Sequence, residues 1–146
     1  MNDIELQLRK LIGINSTDEK AAANAFHRLY EIPVLGSDDL YEGLIKLPRP
    51  YRELAAAHQA WGIVASDGFE NYLEDTDARF DTEVEAGLKL TGHGECYAAI
   101  PEARRLLEAG ALTRDDDDRL WSLFYDPIEF FPETVGAFLL RYLNKG

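Results

Sequence analysis

The chain has 146 residues, 46% of them hydrophobic and including 7 Phe, 7 Tyr and 2 Trp, which is enough apolar material for one domain with a full core and too much for intrinsic disorder. Twenty-seven acidic residues against 15 basic ones give a net charge of −12. That sign excludes nucleic acid as a direct ligand and disfavours anionic membrane surfaces, because both need clustered Lys and Arg.

Taken in chain order, almost every segment repeats its apolar residues at helical spacing. The acidic start Met1-Asn2-Asp3-Ile4-Glu5 lacks a basic leader, and no apolar run approaches the roughly 18 residues that cross a bilayer, so a cytoplasmic location is the expectation. Ser16 and Glu19 have capping-box spacing and precede Ala22, Ala25, Phe26, Leu29 and Tyr30 on one face. This helix is expected to stop before Pro33, and Ile32-Pro33-Val34-Leu35 reads as briefly extended. Ser37 can cap a short helix carrying Leu40, Tyr41, Leu44 and Ile45, closed by Pro48 and Pro50. Pro50 suits the first turn of a longer helix with Leu54, Ala57, His58, Trp61 and Val64 inward, ended by a left-handed Gly68.

Phe69, Tyr72 and Leu73 begin another apolar face, and Phe80, Val84 and Leu88 recur every four residues up to Gly92. Tyr97, Ile100, Arg104 and Leu107 follow on a helix ending near Gly110, with Pro101 at a kink or a helix start. Two more helices carry Leu120, Trp121, Leu123 and Phe124, then Val135, Phe138, Leu139 and Tyr142. The expected fold is all-α, a single compact domain over residues 1–146 with seven or eight helices and no repeat.

The charge is concentrated. Residues 67–85 hold eight carboxylates against Arg79, residues 115–133 hold seven against Arg119, and the rest of the chain is nearly neutral. The first stretch contains Asp67, Glu70, Glu74, Asp75, Asp77, Asp81, Glu83 and Glu85; the second opens with Asp115, Asp116, Asp117 and Asp118. Two such patches are suited to a positively charged partner, although charge runs are also commonly solvated faces. With Asp77, Asp81 and Glu85 on one helix, carboxylates would stand about 6 Å apart along a stripe, a spacing compatible with duplex phosphates. Asp115 to Asp118 have a further explanation, since they precede an apolar helical face and fit the positive end of its dipole, with Thr113 or Asp115 as cap.

Catalytic patterns are scarce. His93-Gly94-Glu95-Cys96 gathers three ligand types, but its spacing matches no standard zinc pattern, and a helix start explains it equally. No metal, cofactor or catalytic residue is expected. Cys96 is the only cysteine, which leaves no internal disulfide, and no activating base is visible for it. His58 reads as a core histidine beside Trp61, and His27 as exposed beside Phe26. Gly-rich phosphate loops, Gly-x-Ser-x-Gly and His-Glu-x-x-His are all absent.

The run Trp61-Gly62-Ile63-Val64-Ala65-Ser66-Asp67-Gly68-Phe69-Glu70-Asn71-Tyr72-Leu73 resembles the glycine, Phe and Tyr signature of a bacterial domain-of-unknown-function family that includes an acidic DNA-mimic protein. Gly87-Leu88, Thr91-Gly92, Ala98-Ala99-Ile100, Leu123-Phe124-Tyr125 and Leu139-Leu140-Arg141-Tyr142 extend the resemblance over about residues 50 to 143. Gly68, Phe69, Tyr72 and Gly92 are its motif positions, while Asp67 stands where a first glycine is usual and Glu74-Asp75 where an aromatic-Asn pair is common. The resemblance implies an anionic, dimeric protein that occupies the DNA-binding surface of another protein. The partner would be a transcription factor or another basic protein, bound through Glu70, Glu74, Asp75, Asp77, Asp81, Glu83, Glu85 and Asp115 to Asp118. The alternative is an interaction or immunity-type module that binds through Tyr125, Phe130, Phe131 and Phe138, with the acids serving solubility; core packing or a dimer seam would also account for those aromatics.

Overall fold

A computed structural model describes residues 3–13, 17–35, 40–75, 78–129 and 131–144. Among the described residues the chain is all-α, with eight α-helices, three short 3-10 turns and no strand. The helices are α1 (Asp3–Ile12), α2 (Glu19–Leu35), α3 (Leu40–Leu44), α4 (Tyr51–Asp75), α5 (Asp81–Leu90), α6 (Ala99–Glu108), α7 (Arg114–Tyr125) and α8 (Phe131–Leu143). Among them no helix is long and apolar enough to cross a membrane. Contacts divide the chain into two units, Met1–Pro48 with Phe130–Gly146, and Arg49–Glu129.

In the first unit α2 packs on α8 and α1 on α2. Ala22, Ala23, Ala25, Phe26 and Tyr30 of α2 are buried, as are Phe131, Val135 and Leu139 of α8. Small residues permit close approach: a Cβ added at Gly136 would fall 1.8 Å from the Glu19 carbonyl oxygen. Arg9 of α1 donates to the Leu143 carbonyl at the end of α8, where orphan carbonyls need partners. The cap of α2 is Asp18, whose carboxylate accepts from the Ala21 amide at 3.0 Å. Contrary to expectation, α2 runs through Pro33 to Leu35 instead of stopping or becoming extended. Pro33 lies in the last turn, where it removes only one backbone hydrogen bond, and the packed body of α2 carries the helix past it. Ser16, Ser37, Asp77 and Phe130 lie outside the described residues, as do the side chains of Leu40, Tyr41 and Asp75.

The second unit is organised around α4, which packs against α5 and α7. Leu54, Ala55, Ala56, Ala57, Ala60 and Val64 of α4 are buried. The run of alanines keeps one side of this helix thin, and Gly87 of α5 sits against it. A Cβ at Gly87 would come 2.1 Å from the Glu53 carbonyl oxygen and 2.7 Å from the Ala57 Cβ. Beyond Gly68 the buried Phe69, Tyr72 and Leu73 continue the core, with Phe69 edge-on to both Phe124 of α7 at 5.6 Å and Tyr72 at 6.4 Å. Pro101 occupies the first turn of α6, as its missing amide favours. Leu107 and Leu123 are exposed.

Candidate functional site

The site is built at a break in α4. Gly68 has φ +82° and ψ 177°, a combination open essentially only to glycine. Its φ is positive, as expected for a helix terminator, but its ψ is extended and not left-handed helical. The chain therefore restarts as helix at Phe69 with new unpaired amides, and these need an acceptor. Asp117 of α7 supplies it: its carboxylate accepts from the Phe69 amide at 3.0 Å and from the Glu70 amide at 3.4 Å. The oxygens of Asp117 also lie 3.7 Å from where a Gly68 Cβ would stand. A side chain from the second acidic stretch thus caps a helix in the first.

This contact brings the two stretches together. A cleft of about 420 Å³ is lined by Asp67 and Glu70 from α4 and by Asp117 and Asp118 from α7, together with Arg114 and Trp121. Four carboxylates against one guanidinium make it anionic. Trp121 closes one side, donating its indole N–H to the Val64 carbonyl at 2.8 Å and stacking on Tyr125 at 4.6 Å. Loss of the cap is measurable. Asp117→Ala is expected to lower unfolding free energy by about 1 kcal/mol, and Asp117→Asn by less, since Asn remains a good cap; urea denaturation of the two variants checks this.

The remaining acids divide by what they hold. Thr113 caps α7: its hydroxyl accepts from the Asp116 amide at 3.1 Å, while Asp116 accepts from the Thr113 amide at 3.3 Å, a reciprocal capping box. Hydrogen bonds from the Thr113 side chain and backbone, reinforced by Arg119, hold the Asp116 carboxyl below its ordinary range. Arg119 in turn reaches Glu102 of α6 at 3.0 Å and Asp116 at 3.5 Å. Asp81 forms a two-pronged ion pair with Arg104 of α6, at 2.6 and 2.8 Å, with both side chains 15% exposed. Burial works against the Arg104 charge, but the hydrogen bonds and charge of Asp81 outweigh it and raise its pKa. The guanidinium also lies 5.8 Å from the Tyr72 ring centre. Glu85 pairs with Lys89 at 3.4 Å, and Glu83 is half-buried with its Oε2 enclosed and not hydrogen-bonded.

Of the stripe of Asp77, Asp81 and Glu85, Asp77 lies outside the described residues, while Asp81 and Glu85 stand on α5 with Asp81 turned to Arg104. By contrast, Glu70, Glu74, Asp115 and Asp118 are exposed and make no side-chain ion pair among the described residues. Of the aromatic alternative, Phe131 is fully buried, Phe138 stacks on Tyr142 at 5.8 Å, and Tyr125 lies between Trp61 and Trp121. His58 stacks on Trp61 at 5.9 Å and is half-buried, and His27, also half-buried, meets Tyr30 edge-on at 5.1 Å.

The three ligand types of the His93-Gly94-Glu95-Cys96 run, set aside on spacing, also come together in the second unit. The ligand atoms of His93, Glu95 and Cys96 all lie within 4.8 Å of one another, with Cys96 buried, His93 half-buried and Glu95 exposed. Burial, and then the charge of Glu95, pushes the Cys96 thiol up to about 11, while burial lowers the His93 pKa against the pull of Glu95.

A family model described as DMP19-like protein matches residues 45–141 of the chain. No curated protein and no solved structure shows a significant match.

Proposed function

Because the chain belongs to the DMP19-like protein family, we propose that it is an anionic protein-binding module, a DNA mimic that occupies the basic DNA-binding surface of a transcription factor or other DNA-binding protein. The observation that carries this reading is the convergence of the two acidic stretches: Asp67 and Glu70 share one cleft with Asp117 and Asp118. Carboxylates grouped on a rigid frame attract a cationic groove and steer its approach. The acids split into two tasks. Asp81, Asp116 and Asp117 hold helices together, while Glu70, Glu74, Asp115 and Asp118 face solvent and are the ones offered to the partner.

That division sets the test. A variant carrying Glu70→Gln, Glu74→Gln, Asp115→Asn and Asp118→Asn keeps every capping and Arg-paired carboxylate, so its helical circular dichroism and melting should stay close to those of the parent. Capture of basic proteins from a bacterial lysate at low salt, followed by elution with duplex DNA, should release partners from the parent protein. The variant should bind the released partner roughly tenfold or more weakly at low salt, and the difference should shrink as salt rises. Equal affinity of parent and variant at low salt would refute the proposal.

A further inference from the structure

We propose that His93, Glu95 and Cys96 form a three-donor binding site for a borderline divalent metal ion of the Zn²⁺ class. The site is made by two successive backbone devices. At the end of α5, Gly92 takes φ +85°; its amide donates to the Lys89 carbonyl at 3.1 Å and the His93 amide to the Leu88 carbonyl at 2.8 Å. This is the paired bonding of a Schellman motif, and it fixes the direction in which His93 leaves the helix. The chain then enters the 3-10 turn Gly94–Ala98, with the Cys96 amide bonded to the His93 carbonyl at 3.1 Å. In a 3-10 turn there are three residues per turn, so residues three apart stand above one another. His93 and Cys96 are three apart, and Glu95 is their neighbour in the same turn.

The donor chemistry suits a cation. A thiol, an imidazole and a carboxylate form a mixed sulfur, nitrogen and oxygen set, the kind that selects Zn²⁺ or Co²⁺ over Mg²⁺ and Ca²⁺. Bond lengths of about 2.0–2.3 Å in tetrahedral geometry place donors roughly 3.3–3.7 Å apart. The present separations, all within 4.8 Å, exceed these by at most about 1.5 Å, a gap that adjustment of the exposed Glu95 and half-buried His93 side chains can close. Cys96 supplies the inner wall and Glu95 the outer, so the ion enters from solvent, displaces the thiol proton to water, and keeps one position for a water molecule. Nothing in this site overlaps the acidic cleft or depends on how that cleft is used.

Titration of the full-length, chelator-treated protein with Co²⁺ tests the proposal. The expected result is one ion per chain, with the visible bands of four-coordinate cobalt and a near-ultraviolet thiolate-to-cobalt band, all displaced by Zn²⁺. Cys96→Ser should abolish the thiolate band. Because Cys96 is buried and its replacement can disturb the turn, His93→Gln and Glu95→Gln are measured alongside, with helicity verified by circular dichroism. His93→Gln should abolish binding, and Glu95→Gln should weaken it about tenfold. Absence of a saturable cobalt spectrum in the parent protein, or an unchanged spectrum in a folded His93→Gln variant, would overturn the assignment.

Discussion

Replacement of Phe69 by Ala is expected to cost about 3–5 kcal/mol of folding stability. The side chain is fully buried, as is Phe124, and Tyr72 is 1% exposed, so deletion of the ring removes the shared partner of two edge-on aromatic contacts. The surrounding helices cannot readily collapse into the space. Asp117 ties the Phe69 amide to α7, and Arg104 ties α6 to both Asp81 and Tyr72. Guanidinium chloride denaturation should show a lower midpoint with an unchanged slope, the signature of lost native stability and not of an altered unfolded state. A loss below about 1 kcal/mol would mean that the site repacks and that the aromatic cluster is not the centre of this unit.

Gly87→Ala is the second large effect, and here two opposing terms can be compared. In a helix interior the change from Gly to Ala favours folding by about 1 kcal/mol. At Gly87 the new methyl would stand 2.1 Å from the Glu53 carbonyl oxygen and 2.8 Å from its carbonyl carbon, which are backbone atoms that cannot swing aside. Forcing α5 away from α4 costs about 2–3 kcal/mol or more, so the clash outweighs the propensity gain. A fall of about 3–8 °C in melting temperature is expected. Gly62 of α4 is the internal control: no atom lies within 4 Å of a Cβ built there, and Gly62→Ala should leave stability unchanged or raise it by up to about 1 kcal/mol.

The helical periodicity of the sequence is strong enough to place most elements. Val84 and Leu88 mark α5, Thr113 stands before the acids of α7 as a cap residue should, and Gly68 and Gly92 interrupt or end helices where their positive φ is required. One local reading fails because packing and position outweigh propensity: α2 passes Pro33 and stays helical to Leu35. The acids are where sequence reasoning stops. Asp81 finds Arg104 23 residues away, and Asp117 finds the Phe69 amide 48 residues away; no periodicity encodes such pairings, so structural and solvent-facing carboxylates look alike in the chain. The run of His93, Glu95 and Cys96 is visible as a set of ligand types, but its convergence is not. Its spacing is that of a 3-10 turn and not of the usual metal-binding motifs.

The commitment of Asp81, Asp116 and Asp117 to internal partners has a further consequence for competition with DNA. Duplex DNA carries a dense line of charge with condensed counterions, and release of those ions by a basic protein makes binding fall steeply with salt, by about 0.9 in log K per phosphate for each unit of log salt. The solvent-facing carboxylates of this chain form one short cluster and not a continuous line of charge, so they hold a smaller ion cloud to release. A basic partner would therefore lose affinity for DNA faster than for this protein as ionic strength rises. If the chain acts as the proposed DNA mimic, it would gain ground in such a contest in concentrated salt, where DNA binds least well.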